Sequence, residues 1–138
     1  MEAKALNIIL VDDDDVDVMG VQRALRGSAT AFSSWTARDG IEALALLRGD
    51  QVPAKRRLVL LDLALPRMDG FELLRHLRTD PALKSTLVVV LTGSTNQSDK
   101  AEAYRLNVAG YLHKPLNSAQ FVEVMETLTT YWGLGQML

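Results

Sequence analysis

Several residues able to do chemistry stand in this chain where an apolar run gives way to a turn. Asp12 and Asp13 follow Leu6-Asn7-Ile8-Ile9-Leu10-Val11, and Asp62 follows Leu58-Val59-Leu60-Leu61. Thr92 follows the run Leu87 to Leu91, and Lys114 comes soon after Val108-Ala109-Gly110-Tyr111-Leu112. Brought together, these groups define a narrow chemistry. Two like charges about 4 Å apart repel by roughly 4 kcal/mol at an effective dielectric of ~20. Three carboxylates in one crevice therefore call for a cation, and Lys114 compensates only part of the charge. Ligation by oxygen alone, with no histidine in the set and no cysteine in the chain, points to magnesium, which prefers one or two carboxylates plus a phosphate. A hydroxyl, an ammonium and a divalent cation around one carboxylate can hold three phosphoryl oxygens. Asp62 would then be the nucleophile of an aspartyl phosphate, with the surrounding charges acting by position and electrostatics. Taken alone, Asp62 is equally an idle acid leaving the core at a strand end.

Whether the groups meet depends on the elements that carry them. Continuous apolar runs bounded by turn residues suit strands buried on both faces, and Leu6–Val11, Leu58–Leu61 and Leu87–Leu91 read so. Thr30 to Thr36 is a weaker strand near an edge, and Val108 to Leu112 a short last one. Val18, Val21 and Leu25 recur at helical spacing in a first helix that stops near Gly27. Asp39-Gly40-Ile41-Glu42 and Asp69-Gly70-Phe71-Glu72 have the acid-x-x-Glu form of a capping box. Ile41, Leu44 and Ala45 supply the apolar stripe behind the first, and Phe71, Leu74 and Leu77 behind the second, with Pro81 just past that helix. Ala101, Tyr104 and Val108 mark a fourth helix. Asn117 with Gln120 caps a fifth, which runs through Phe121, Val124, Met125, Leu128 and Trp132. Five strands alternating with five helices call for an α/β fold with a parallel sheet covered on both faces. Right-handed crossovers make the doubly wound, flavodoxin-like order 2-1-3-4-5 the economical choice. Strands 1 and 3 are neighbours in that order, so Asp12, Asp13 and Asp62 converge.

The chain resembles the response-regulator receiver domain of two-component signalling over nearly its whole length. The resemblance is carried by Asp12-Asp13 after an apolar strand, Leu61-Asp62, Leu65-Pro66-x-Met68-Asp69-Gly70, Thr92 and Lys114-Pro115 in order. It implies that Asp62 is the phosphoacceptor and that magnesium is held by Asp13, Asp62 and the backbone carbonyl of Ala64, with Asp12 acting mostly through water. It implies that Thr92 and Lys114 contact the phosphoryl group, that Tyr111 is the aromatic that turns inward on activation, and that the Lys114-Pro115 bond is cis. The ending Leu128-Thr129-Thr130-Tyr131-Trp132 resembles the small single-domain regulators that partner bacterial phytochromes. That subgroup implies a sensor histidine kinase, a phytochrome among the candidates, as phosphodonor, and a homodimer. One receiver domain over residues 1–138, with a short C-terminal tail and no output domain, is the expected organisation.

Bulk properties narrow the field without adding a function. At 138 residues, 48% hydrophobic and 23% charged, the chain suits one ordinary globular domain. No apolar run approaches the roughly 20 residues of a bilayer span, and Met1-Glu2-Ala3-Lys4 does not open a secretory signal. A cytoplasmic protein is the expectation. A net charge of −2 speaks against coating nucleic acid. Asp14, Asp15 and Asp17 read as a solvated helix N-terminus, where acids favour the positive end of the dipole. Lys55-Arg56-Arg57 reads as a solvated loop, and the tail from Tyr131 to Leu138 either folds back or covers a partner. Thr92 could be a plain turn hydroxyl and Tyr111 a core aromatic. Three functions compete: a phosphoacceptor switch, a phosphatase working through an aspartyl phosphate, and a pseudo-receiver that binds without phosphorylation. Ala64, two residues past the nucleophile, lacks the acid a phosphatase needs there, and every group the switch needs is present. A switch with no turnover of an external substrate is the leading expectation.

Overall fold

A computed structural model describes residues 5–27, 31–124 and 126. Met125 and the expectations for the C-terminal tail, including Leu128 and Trp132, lie outside these residues, as does Thr30. The chain runs β1 (Leu6–Val11), α1 (Asp15–Gly27), β2 (Phe32–Ala37), α2 (Gly40–Arg48), β3 (Arg57–Leu61), α3 (Gly70–Thr79), β4 (Leu87–Thr92), α4 (Gln97–Arg105) and β5 (Gly110–His113). Residues 118–124 are helical and form α5. All strand pairs are parallel, in the order β2-β1-β3-β4-β5. This is the doubly wound fold expected from the alternation. No helix among the described residues is long and apolar enough to cross a membrane.

Two apolar layers cover the sheet, and the pleat sorts side chains between them. Ile9, Val11, Val59, Leu61, Val88 and Val90 face α2, α3 and α4. Leu6, Ile8, Leu10, Leu58, Leu60, Val89 and Leu91 face α1 and Phe121 of α5. The central strands β1, β3 and β4 are thus apolar on both sides, which is why they read as continuous hydrophobic runs.

The acid half of each capping box forms as read. Asp39 Oδ1 accepts from Glu42 N and Asp69 Oδ1 from Glu72 N, each at 2.9 Å. Glu42 Oε1 turns back to Arg38 N, one residue before the cap, rather than to Asp39 N. Asn117 and Gln120 form the reciprocal pair at α5, with Gln120 N donating to Asn117 Oδ1 at 2.8 Å.

Other expectations shift. β2 starts at Phe32 and runs one residue further, to Ala37, which is fully buried. β5 begins at Gly110 because Asn107 adopts a left-handed φ of 60° after α4, so Val108 and Ala109 still belong to the turn. The stripe of α2 is Ala43, Leu44 and Leu47; Ile41 is 49% exposed and Ala45 faces solvent. In α4 the buried residue is Ala103, while Ala101 and Tyr104 face outward and Val108 lies beyond the helix. The basic trio is not simply solvated. Arg57 opens β3, and its guanidinium donates to the carbonyls of Val52, Pro53 and Leu47, fastening the preceding loop.

Candidate functional site

The strand ends deliver the expected groups to one edge of the sheet. Val11 pairs with Leu61, so Asp12 and Asp62 emerge side by side from β1 and β3. Thr92 is the last residue of β4, and Lys114 follows β5, its backbone N donating to Thr92 O at 2.9 Å. Pleat parity continues past the strands: Asp12 and Asp62 stand over Leu10 and Leu60, on the α1 side of the sheet.

Asp12, Asp62 and Thr92 are buried, and Asp13 is exposed. Lys114 Nζ lies 2.8 Å from Asp12 Oδ2 and 3.0 Å from Asp62 Oδ2. The Thr92 hydroxyl donates to the other acceptor oxygen, Asp62 Oδ1, over a long 3.4 Å, and Ala64 N donates to the same oxygen at 3.2 Å. Both oxygens of Asp62 are thus addressed, one by an ammonium and one by neutral donors. Ligand atoms of Asp12, Asp13 and Asp62 lie within 4.8 Å of one another. Three carboxylates at that spacing against one lysine fit a hard divalent cation bound by oxygen. The Lys114-Pro115 bond is cis.

Burial raises the Asp12 carboxyl above its ordinary 3.8, although hydrogen bonds from Lys114 and from Asp14 N oppose the rise. Burial also works against the Lys114 ammonium, but its hydrogen bonds to Asp12, Asp17 and Asp62 outweigh that and push its pKa up. The lysine is therefore a permanent charge in this site. Tyr111 packs against the cluster under α2, α3 and α4, edge-on to His113, with its Oη buried and without a hydrogen bond. Burial raises its phenol pKa; Ser94 approaches the oxygen and opposes the rise, short of hydrogen-bond geometry.

The loop after Asp62 is held tightly. A Cβ on Gly70 would lie 2.7 Å from Leu63 Cα and 2.8 Å from Asp62 O, so only glycine lets α3 start this close to the acid. Gly70 N donates to Leu63 O, and Gly40 N to Met68 O, tying the same loop to α2. Arg67, at a left-handed φ of 59°, pairs with the buried Asp39 carboxylate and, at 3.6 Å, with Glu42.

Three residues of this neighbourhood escape sequence reading. Asp17, taken with Asp14 and Asp15 as a solvated acid, instead accepts from Lys114 Nζ at 2.7 Å. Its companions do match that reading: Asp14 Oδ1 caps Val16 N, and the exposed Asp15 pairs with Arg38. Arg38 also donates to Asp13 O at 2.9 Å, bracing the loop that carries that acid. Arg67 is the third. No local signal marks any of them, because each partner is distant in sequence.

Comparison with known proteins agrees with this geometry. Residues 8–126 match the family model described as the response regulator receiver domain. Response regulator Rcp1 of Synechocystis sp. is 37% identical over 128 residues, covering 91% of this chain and 87% of Rcp1. The structure of the bacteriophytochrome response regulator RtBRR superposes with a TM-score of 0.77 at 35% identity, covering 88% of this chain and 76% of that one. The phosphorylated cyanobacterial phytochrome response regulator RcpA gives 0.73 at 39% identity, with 93% and 94% covered. The Mn(2+)-bound form of Rcp1 gives 0.68 at 36% identity, with 91% and 92% covered. With the sheet order, the acidic edge and these relatives in agreement, the chain belongs to the response regulator receiver domain family.

Proposed function

We propose that Asp62 is the phosphoacceptor of a two-component phosphorelay. The observation that carries this is the placement of Lys114 and Thr92 on the two different oxygens of one buried carboxylate at a strand end. One carboxylate oxygen attacks the phosphorus of a phosphohistidine. The P–O bond forms, the P–N bond breaks, and the electron pair returns to the imidazole, which takes up a proton. Lys114 and Thr92 hold phosphoryl oxygens of the product. Asp13, Asp62 and the Ala64 carbonyl would hold magnesium, with Asp12 acting mostly through water, and the metal would supply charge neutralisation at the phosphoryl group. Asp62 then stores a signal and turns over no external substrate, since Ala64 offers no acid or base to the acyl phosphate.

The donor is a sensor histidine kinase, and the likeness to the bacteriophytochrome regulator RtBRR and to RcpA favours a phytochrome. Phosphorylation alters the face made by α4 and α5 through Thr92 and Tyr111. A cytoplasmic homodimer that contacts neither nucleic acid nor membrane is the form in which this operates. Incubation with acetyl phosphate and magnesium followed by intact mass tests the proposal. One added phosphoryl is expected on the wild type and none on Asp62→Asn. An unmodified wild type points to the pseudo-receiver, and repeated turnover of a phosphoester to the phosphatase.

A further inference from the structure

The ammonium of Lys114 has three N–H donors and sits among three carboxylates, donating hydrogen bonds to Asp17 and Asp62 and forming an ion pair with Asp12. Nζ lies 2.8 Å from Asp12 Oδ2, 2.7 Å from Asp17 Oδ2 and 3.0 Å from Asp62 Oδ2. A lysine donates three hydrogen bonds and no more. A phosphoryl oxygen on Asp62 therefore competes with these partners for the ammonium. They are unequal. Asp62 is itself the acceptor, and its own charge is consumed when the acyl phosphate forms. The Asp12 side chain is 9% exposed, and removing the ammonium from it would strand a carboxylate away from water. The Asp17 side chain is 36% exposed, so water can replace the lysine at little cost. Asp17 is also the only one of the three that lies on a helix, in the first turn of α1. Its backbone is held by Asp14 Oδ1, which leaves the side chain as the part free to turn.

We propose that Asp17 is a positioning residue for Lys114. It holds the ammonium on the α1 side of the site in the unphosphorylated protein and is the partner released when a phosphoryl oxygen takes over its donor. This rests on the reading of Asp62 as phosphoacceptor. Asp17 touches neither the phosphoryl group nor the metal and acts only through Lys114. The exchange also reaches the surface. Val16, Asp17, Met19, Gly20, Lys114 and Pro115 line a groove between α1 and the segment after β5. Unpairing Asp17 places a free carboxylate beside that groove in the phosphorylated state alone.

The test follows the Lys114 ammonium by 1H–15N correlation in the full chain, assigned by its loss in Lys114→Arg. Asp17→Asn is compared with Asp14→Asn, which removes the same charge nearby while an asparagine still caps the helix. In the unphosphorylated protein, Asp17→Asn is expected to shift the Lys114 signal and speed its exchange with water, and Asp14→Asn to leave it in place. Phosphorylation by acetyl phosphate should quicken about two- to fivefold in Asp17→Asn, the range a partly exposed pair supplies, and Asp17→Glu should restore the slower rate at least in part. With beryllium trifluoride bound as phosphoryl mimic, the Lys114 signals of wild type and Asp17→Asn should coincide. An unmoved signal in Asp17→Asn overturns the anchor. Signals that still differ with the mimic bound overturn the exchange. A wild type that acetyl phosphate leaves unmodified overturns the acceptor reading and the exchange with it, while the signal of the unphosphorylated protein judges the anchor separately.

Discussion

Asp12 shows what the acidic edge costs the fold. Burial raises its carboxyl above the ordinary 3.8 despite the adjacent lysine. A carboxyl raised on folding favours the protonated form, so its contribution is greatest below 3.8 and is lost as pH rises through the raised value. At neutral pH the ionised Asp12 is a net cost. Asp12→Asn is therefore expected to raise the thermal midpoint by a few degrees in metal-free buffer and to weaken magnesium binding. Lys114 keeps two carboxylates, Asp17 and Asp62, after this substitution. Calorimetry of both proteins in chelator is the check, and a lowered midpoint would contradict it. At this scale the sequence is informative wherever a residue's role follows from its place on a strand. Asp62, Thr92 and Lys114 each sit at a strand end, and the topology alone brings them together. Asp17 sits among other acids at a helix start, where the dipole already accounts for it. Only the rotation of α1 on the sheet aims it at a lysine 97 residues away.

Elements were legible in kind and order, and less so in phase. The stripe read for α2 and the stripe it buries share Leu44, and nothing local to the sequence separates Ile41 and Ala45 from Ala43 and Leu47. The choice is made by how the helix docks against α3, β2 and β1. Truncation reads that choice directly. Leu47→Ala, at a residue 4% exposed, should cost about 2–5 kcal/mol, whereas Ile41→Ala, 49% exposed, should stay within about 0.5 kcal/mol. Urea melts distinguish the two, and equal costs would restore the other phase. The N-terminus of the same helix carries a pH signature. The Glu42 N–H, followed by Arg67, holds the Asp39 carboxyl below its ordinary 3.8. A carboxyl lowered on folding stabilises fully above 3.8 and loses that contribution as pH falls through the lower value. Asp39→Ala should cost about 0.5–2 kcal/mol near neutrality as a lost cap. The gap to wild type should narrow as the pH is taken below 3.8. A gap that widens in acid would mean that Asp39 serves some other role.

For the whole molecule, stability and function reside in different places, and this separation explains what the sequence discloses. Continuous apolar strands between amphipathic helices declare a doubly wound sheet without reference to any ligand. The acids lie beyond the strand ends, outside both apolar layers. A metal bound there should add to stability without being needed for the fold. Chelation is thus expected to leave the far-ultraviolet circular dichroism unchanged. Magnesium at about a hundred times its dissociation constant should stabilise the protein by about 2.7 kcal/mol through mass action, seen as a thermal midpoint several degrees higher that EDTA reverses. Asp13→Asn separates this linkage from a nonspecific salt effect. Asp13 is exposed, and its side chain belongs to the acidic group with Asp12 and Asp62. Removing its charge should leave the metal-free midpoint nearly in place and abolish most of the magnesium-induced rise. If the variant gained as much from magnesium as the wild type, the cation would be stabilising the protein from somewhere other than the strand ends.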